Sequence, residues 1–524
     1  MVSLPRRKRC GWFVTSPKSQ LSVSSRMEVD SIGAARRPPL QFLALAGVGV
    51  LIAIGLVAYS QTHAFAWDEG FHLLAAQLIF SGKRPYLDFI FPQTPLNAYW
   101  NAGWMGLFGE GWRPPHAVAA LLATGAALLT ADFVFVRFPF AHWRFAAAIT
   151  AALLVGFNVL VVEFATLGQP YALCLLLIVV AFRLAIVAVE RSSLLLMTAA
   201  GFSASAAAAS SLLTAPVAPV LLVWLVVYSQ PSTRVSTAGA FLAGAVLPFI
   251  TVLWLLLQGP RQVIFGIIEY HLLYRREAWQ HALHNDLGVL LSWIDSGQAL
   301  LLGLLSIAAL IFVSSRTDWP KLRRAQFNLC GWLAVALGVH LSSAHPTFTR
   351  YYVFLVPFLA ILAPLGLYAL GLRLGFVDRR LWPTLIVIAL AATGLGKTLY
   401  DDWDDFSWQD MEQVASKVDE VTPAGGSLFA DEHIYFLTRR PPPEGQEHRD
   451  SHKLKLPSNL LSLLHVVPQA EVDRRITNGM FDTVVLCERD KINTLDAANV
   501  YARKHEFPTM DCEVFWEPAR PSAK

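Results

Sequence analysis

Charge is scarce in this 524-residue chain: 15% of the residues are Asp, Glu, Lys or Arg, against 55% hydrophobic residues. Mean hydropathy is +0.46. Soluble domains carry about 25% charged residues, so the shortage excludes a soluble globular protein of ordinary composition. Cysteine is nearly absent, with five residues and no C-x-x-C or other metal-type spacing. Cys174 and Cys330 fall in apolar runs and read as small hydrophobic side chains. Cys487 and Cys512 lie near the C-terminus and could pair in an oxidising compartment. The 42 Lys and Arg nearly cancel the 38 Asp and Glu, leaving +4 and no nucleic-acid footprint. No internal repeat is visible, which argues against a transporter built from repeated halves.

What the chain has instead is apolar runs of membrane length. A helical crossing needs about 20 apolar residues, and such runs recur from Leu40 to Leu395. They predict spans near 41–60, 115–136, 145–162, 170–189, 194–213, 216–229, 238–258, 297–315, 326–343, 351–372 and 381–396, about eleven in all. The Ser/Ala-rich stretch 194–229 fits either one long helix or two short ones. Before the first span stand Arg6, Arg7, Lys8, Arg9, Arg26, Arg36 and Arg37. The positive-inside rule keeps this end cytoplasmic. Alternation then makes cytoplasmic the loops holding Arg137 and Arg144, Arg191, Arg234, the group Arg316 to Arg324, and Arg373 to Arg380, and every one is basic. Ala64-Phe65-Ala66 has the small-residue pattern of a signal cleavage site, but the apolar run before it is too long, so an uncleaved anchor is expected. The two large outer loops run from His63 to Pro114 and from Gly259 to Ser296.

Three regions are expected: a basic cytoplasmic tail at 1–40, disordered by its composition; an all-α polytopic membrane domain at 41–398; and a small α/β extracytoplasmic domain at 399–524. In the last, "GGSLFADEHIYFLTRR" and "FDTVVLCERD" read as strand-bearing segments and "EVDRRITNG" as a helix stopped by glycine. The run from Arg439 to Lys455, with its prolines and charges, is expected to be a mobile loop. Asp431 and Glu432 read as a solvated strand end or an acceptor contact.

The first outer loop begins "WDEGFHLLAAQLIFSGKRPYLDFIFPQTPL". An ionised Asp at the bilayer centre costs roughly 2.5 to 3.5 kcal/mol, so Asp68 and Glu69 belong at the interface or in a watered cavity. Phe71, Leu74, Ala75 and Leu78 recur at helical spacing, so Asp68 also fits a helix cap. The helix 69–80 is expected to lie along the membrane surface with its apolar face in lipid and His72 and Gln77 towards water. The prolines that follow exclude a further span.

The order "WDEG…SG..PYLDF.FPQTPL", together with Arg350-Tyr351-Tyr352 and the general layout, resembles the lipid-linked-sugar glycosyltransferases of the C-type membrane fold. These include the protein O-mannosyltransferases and the aminoarabinose transferases of lipid A. The resemblance covers mainly residues 60–190. It implies an inverting enzyme of the plasma (inner) membrane that takes a hexose or pentose from a polyprenyl phosphate and delivers it to an extracytoplasmic hydroxyl on a lipid, glycan or protein. Asp68 matches the family's first-loop base, and Glu69 would orient the acceptor or bind a divalent cation. No cofactor is required, and two adjacent acids alone would hold a cation poorly.

A phosphodiester leaving group needs cations rather than a proton donor. Outer candidates are Lys83, Arg84, His271, Arg275, Arg276 and Arg350 with Tyr351; Arg is favoured because its planar fork donates two parallel hydrogen bonds. Arg350 with its tyrosines also fits an interfacial anchor, and Arg275 and Arg276 a solvated loop face. Glu163, in "VVEFATLGQPYAL", resembles in position a second acid of the family's donor or acceptor site, and it fits a snorkelling interfacial residue as well. His72, Tyr86 and Asp88 complete the candidate pocket. Competing functions are a transporter or flippase of lipid-linked sugar, and a head-group-binding scaffold without catalysis.

Overall fold

The computed structural model describes residues 39–62, 67–275, 282–379, 381–401, 403, 405–487 and 497–519. The basic N-terminal cluster, Ala64-Phe65-Ala66 and Arg276 lie outside the described residues. Eight described helices are long and apolar enough to cross a membrane: Leu40–Thr62, Arg113–Arg137, Tyr171–Arg191, Pro231–Gln258, Gly297–Ser315, Lys321–Ser342, Thr349–Leu374 and Leu381–Asp401. Three shorter apolar helices, Ala141–Gly156, Leu194–Ser210 and Leu212–Tyr228, occupy the remaining expected spans. The chain is a multi-pass membrane protein. The ambiguous stretch resolves into two helices because Ser211 is extended (φ −159°, ψ 124°) and interrupts the helical run. Thr349–Leu374 is the central helix, with 94% of its apolar window buried by neighbours.

The first-loop helix Trp67–Phe80 forms where its apolar spacing predicts. Its surroundings differ from the expectation. Every residue from Glu69 to Leu78 is buried, so its polar side meets protein instead of water. Gln77 Nε2 donates to Phe436 O at 3.3 Å. The covering element is the C-terminal helix Glu432–Thr438. Gly70 permits the approach, since a Cβ there would stand 2.8 Å from both the backbone N and the Cβ of His433. Phe71, Leu74 and Trp112 share one apolar cluster with Trp408, Met411, Ile434, Tyr435 and Val514. Burying each such side chain contributes about 1.5–3 kcal/mol, so the C-terminal region is seated on the first loop by a common core.

That region carries a four-stranded sheet in the order β1-β2-β4-β3. The strands are β1 (Leu428–Phe429), β2 (Thr483–Cys487), β3 (Tyr501–Phe507) and β4 (Cys512–Pro518). β1 and β2 are parallel, joined through helix Gln469–Thr477, which is the strand-helix-strand unit expected. Gly479 follows that helix at φ +62°, a conformation open to glycine without penalty. β4 runs antiparallel to both neighbours, and Cys487 and Cys512 face each other across β2 and β4 in a disulfide. The helix Trp408–Val421 starts with a capping box between Ser407 and Asp410.

The run from Arg439 to Lys455 is packed rather than loose. Gln446, Glu447, His448, Ser451 and His452 are buried, and Arg449–Lys453 is a short 3-10 helix. Its charges are paired, Arg449 with Asp431 and Lys453 with Asp450.

Candidate functional site

The two large loops and the C-terminal region meet around one cavity of about 780 Å³. Asp68, in the first turn of its helix, reaches this cavity and forms an ion pair with Arg350. The Asp68 side chain is 54% exposed and that of Arg350 24%. Arg350 rides on the 3-10 turn Thr349–Leu355 at the head of the central helix, with its guanidinium carbon 4.3 Å from the Phe348 ring centre. Asp286 holds the approach to this turn, accepting from Thr347 N at 2.7 Å and His345 Nδ1 at 2.5 Å.

Of the residues picked from sequence, Asp68, His72, His271, Arg275, Arg350 and Tyr351 line this cavity together. Arg275 Nη2 donates to the Tyr351 hydroxyl at 2.8 Å, and the guanidinium lies 5.4 Å from the Phe348 ring centre. His72 is buried and its pKa is pushed down to about 4 by desolvation, against the pull of Asp68 and Glu69. His271 is likewise pushed down to about 4 by burial, and as a neutral ring it donates from Nε2 to Pro92 O at 2.8 Å.

The other candidates sit elsewhere. Glu69 is fully buried away from the cavity lining, facing His116 Nε2 at 2.6 Å and accepting from Trp408 Nε1 at 2.8 Å. Arg84 is engaged by Asp88 in a two-pronged pair, 2.8 Å from Nη2 and 3.0 Å from Nε. Tyr86 is buried and donates to Gln93 O at 2.5 Å. Lys83 and Glu163 are half-buried and outside the lining.

Sequence reasoning missed most of the C-terminal wall. Asp431, Glu432, His448, Arg449, Asp450 and Lys453 all line the cavity. Asp431 and Glu432 are buried rather than solvated. Arg449 Nη1 stands 3.0 Å from Asp431, Lys453 Nζ 3.0 Å from Asp450, and His448 Nδ1 3.1 Å from Glu432 Oε1. Burial alone would lower the His448 pKa, yet its hydrogen bond to Glu432 leaves it raised. Burial alone would raise Glu432, yet His448 leaves it lowered, so both shifts describe one coupled histidine–carboxylate pair. Nothing local in the sequence links Asp431 to Arg449; the signal available was their common placement in an acid-base-rich segment.

Asp431, His433 and Cys487 bring ligand atoms within 4.8 Å of one another. The Cys487 sulfur is bonded to Cys512 and the Asp431 carboxylate is taken by Arg449, so this trio fits a metal ion badly as it stands.

No protein-family model and no curated protein matches the sequence. Solved structures do match. ArnT from Cupriavidus metallidurans in the apo state superposes with a TM-score of 0.64 at 16% identity, over 90% of this chain and 97% of that one. ArnT bound to undecaprenyl phosphate gives 0.61 at 15% identity, over the same shares of the two chains. The chain has the ArnT fold. The resemblance drawn from the first loop therefore holds for the architecture. Likeness to ArnT extends over the C-terminal region as well as the helices, since only 10% of this chain is left uncovered.

Proposed function

We propose that the chain is an inverting glycosyltransferase that moves a sugar, a hexose or pentose, from a polyprenyl phosphate to a hydroxyl acceptor on a lipid, glycan or protein. The observation that carries the reading is the pairing of the half-exposed Asp68 carboxylate with Arg350, near Arg275, in a cavity that also has apolar walls, including Leu212, Ile267 and Leu272. Asp68 takes the proton of the acceptor hydroxyl. The acceptor oxygen attacks the anomeric carbon, the bond from that carbon to the phosphate oxygen breaks, and the electron pair departs on the phosphate.

Arg350 is the hinge of this scheme. It pairs with Asp68 and neutralises it. A donor phosphate competes for the same fork, so donor binding draws Arg350 away and frees Asp68 to act as base. Arg275 and Tyr351 complete the phosphate cradle, and no cofactor enters the step. The ArnT structure bound to undecaprenyl phosphate supports a donor of this class. The run of basic loops at alternate turns of the chain supports an N-terminus in the cytoplasm of a plasma (inner) membrane protein, with residues 399–524 as an extracytoplasmic domain.

Sugar release from a radiolabelled polyprenyl-phosphate sugar tests the reading. Asp68→Asn should lower kcat by about 10²- to 10⁴-fold, the usual contribution of a general base. Equal turnover by the variant and the wild type removes the assignment.

A further inference from the structure

Two acids leave one helical turn in different directions, and the buried one is gripped from several distant parts of the chain. Glu69 Oε1 accepts the Gly168 backbone N–H and faces His116 Nε2 at 2.6 Å. Oε2 accepts the Trp408 indole N–H at 2.8 Å. The other ring nitrogen of His116, Nδ1, faces the Ser60 carbonyl oxygen at 2.7 Å. Glu69, His116 and Trp408 are each 0% exposed.

The proton count follows from the partners. A carbonyl oxygen only accepts, so His116 Nδ1 carries hydrogen. Between Nε2 and Oε1 one further proton is needed. Gly168 and Trp408 both aim N–H groups at the carboxylate. One proton therefore lies between Glu69 and His116 and ties the two side chains together. Such a pair is a poor source of stability, because desolvation offsets most of its attraction. What it supplies is direction.

We propose that the Glu69–His116 pair, closed by Trp408, is a positioning device that sets Asp68 in the cavity and makes its placement depend on the seating of the C-terminal region. Asp68 and Glu69 are joined through one peptide unit, so a shift of the gripped residue carries the other with it. Trp408 lies 339 residues from Glu69 and begins the helix that seats this region, so its N–H links that seating to the turn. The effect on rate rests on the glycosyl-transfer reading; the pair itself does not.

Two mild variants test it. Trp408→Phe deletes one N–H while keeping an aromatic ring against Trp112, whose centroid lies 5.9 Å away. Glu69→Gln removes the charge. Misplacing a reacting group by about 1 Å costs about 10²-fold. Glu69→Gln should therefore lower kcat about 100-fold and Trp408→Phe about 10-fold, with KM for the donor unchanged and both variants still folded at the assay temperature. An unfolding midpoint that drops while kcat holds in both variants means a merely structural role and overturns the proposal.

Protein with ¹⁵N-labelled histidine provides a readout without turnover. The His116 signals, identified by their loss in His116→Gln, should show hydrogen on Nδ1 and a hydrogen bond at Nε2 that is altered in Glu69→Gln; a His116 ring without hydrogen on Nδ1 in the wild type overturns the pair. Should the wild type release no sugar, the transfer reading fails by itself. Hydrogen exchange then decides the positioning claim: amides 68–72 should open about tenfold faster in Trp408→Phe, consistent with loss of roughly one net hydrogen bond, and unchanged exchange overturns it.

Discussion

Asp68 and Glu69 are consecutive residues with opposite surroundings: the Asp68 carboxylate is 54% exposed and paired with Arg350, whereas Glu69 is 0% exposed and bound to His116 and Trp408. Their contributions to stability should separate accordingly. An ion pair with one partner half in solvent is worth about 0–1 kcal/mol, so Asp68→Asn should leave unfolding almost unchanged. Glu69→Ala strands the His116 ring and two N–H groups in the interior and should cost about 3–5 kcal/mol. Denaturant unfolding of both variants in one detergent checks the contrast; equal costs would contradict it.

Arg275 should bind phosphate more strongly than its loop position suggests. Three described cations lining the cavity face carboxylates: Arg350 with Asp68, Arg449 with Asp431, Lys453 with Asp450. Arg275 instead donates to the neutral Tyr351 hydroxyl. A guanidinium that need not leave a carboxylate is readier to meet an anion. Charged hydrogen bonds contribute about 1.5–3 kcal/mol, so Arg275→Gln should weaken polyprenyl-phosphate binding about 10- to 150-fold, and Arg275→Lys should recover part of it. Titration with the phosphate alone provides the measurement, and an unchanged Kd in Arg275→Gln rejects the assignment.

What was legible from sequence follows the range of the forces involved. Apolar runs are local, so all eleven expected spans correspond to helices, three of them short. The first-loop helix was equally local in origin. Its burial was not, because the residues that cover it lie more than 300 positions away, from Trp408 to Phe436. The same holds for Asp431 and Glu432, which look like a solvated strand end until Arg449 and His448 are folded onto them. Strands β3 and β4 escaped notice because β3 is almost wholly exposed and charged, with no apolar alternation to reveal it. Two adjacent acids in a helix point about 100° apart, yet only the neighbours decide which one meets water.

Close backbone approach between two membrane helices yields a sharper test of the fold. Gly201, in helix Leu194–Ser210, has the Phe241 carbonyl oxygen 2.0 Å from where its Cβ would stand. Gly244, in helix Arg234–Val246, has the Thr198 carbonyl oxygen at 1.9 Å. Each glycine thus admits the backbone of the other helix, as small residues do where membrane helices cross. Backbone cannot yield as a side chain tip can, so Gly201→Ala and Gly244→Ala should each cost about 1–3 kcal/mol. Because both relieve the same crossing, the double variant should cost less than the sum. Unfolding midpoints of the three variants check this, and full additivity would mean that the two contacts are independent.

Glu447 gives the chain a pH dependence whose sign can be worked out. Burial is the main cause that pushes its carboxyl up from 4.5 to about 7, with Lys83 opposing. Below about pH 4.5 the group is protonated in both folded and unfolded chains and contributes nothing. As pH rises from there towards 7, the unfolded chain releases the proton while the folded one retains it, so stability falls. Above about pH 7 the penalty is complete, on the order of 3 kcal/mol at 1.36 kcal/mol per unit. Glu447→Gln has no proton to release, so its stability should lose this slope, and at pH 8 it should exceed the wild type by about 1–3 kcal/mol. Unfolding measured at pH 5 and pH 8 decides the matter: parallel pH profiles for the two proteins would mean that Glu447 ionises freely in the folded chain.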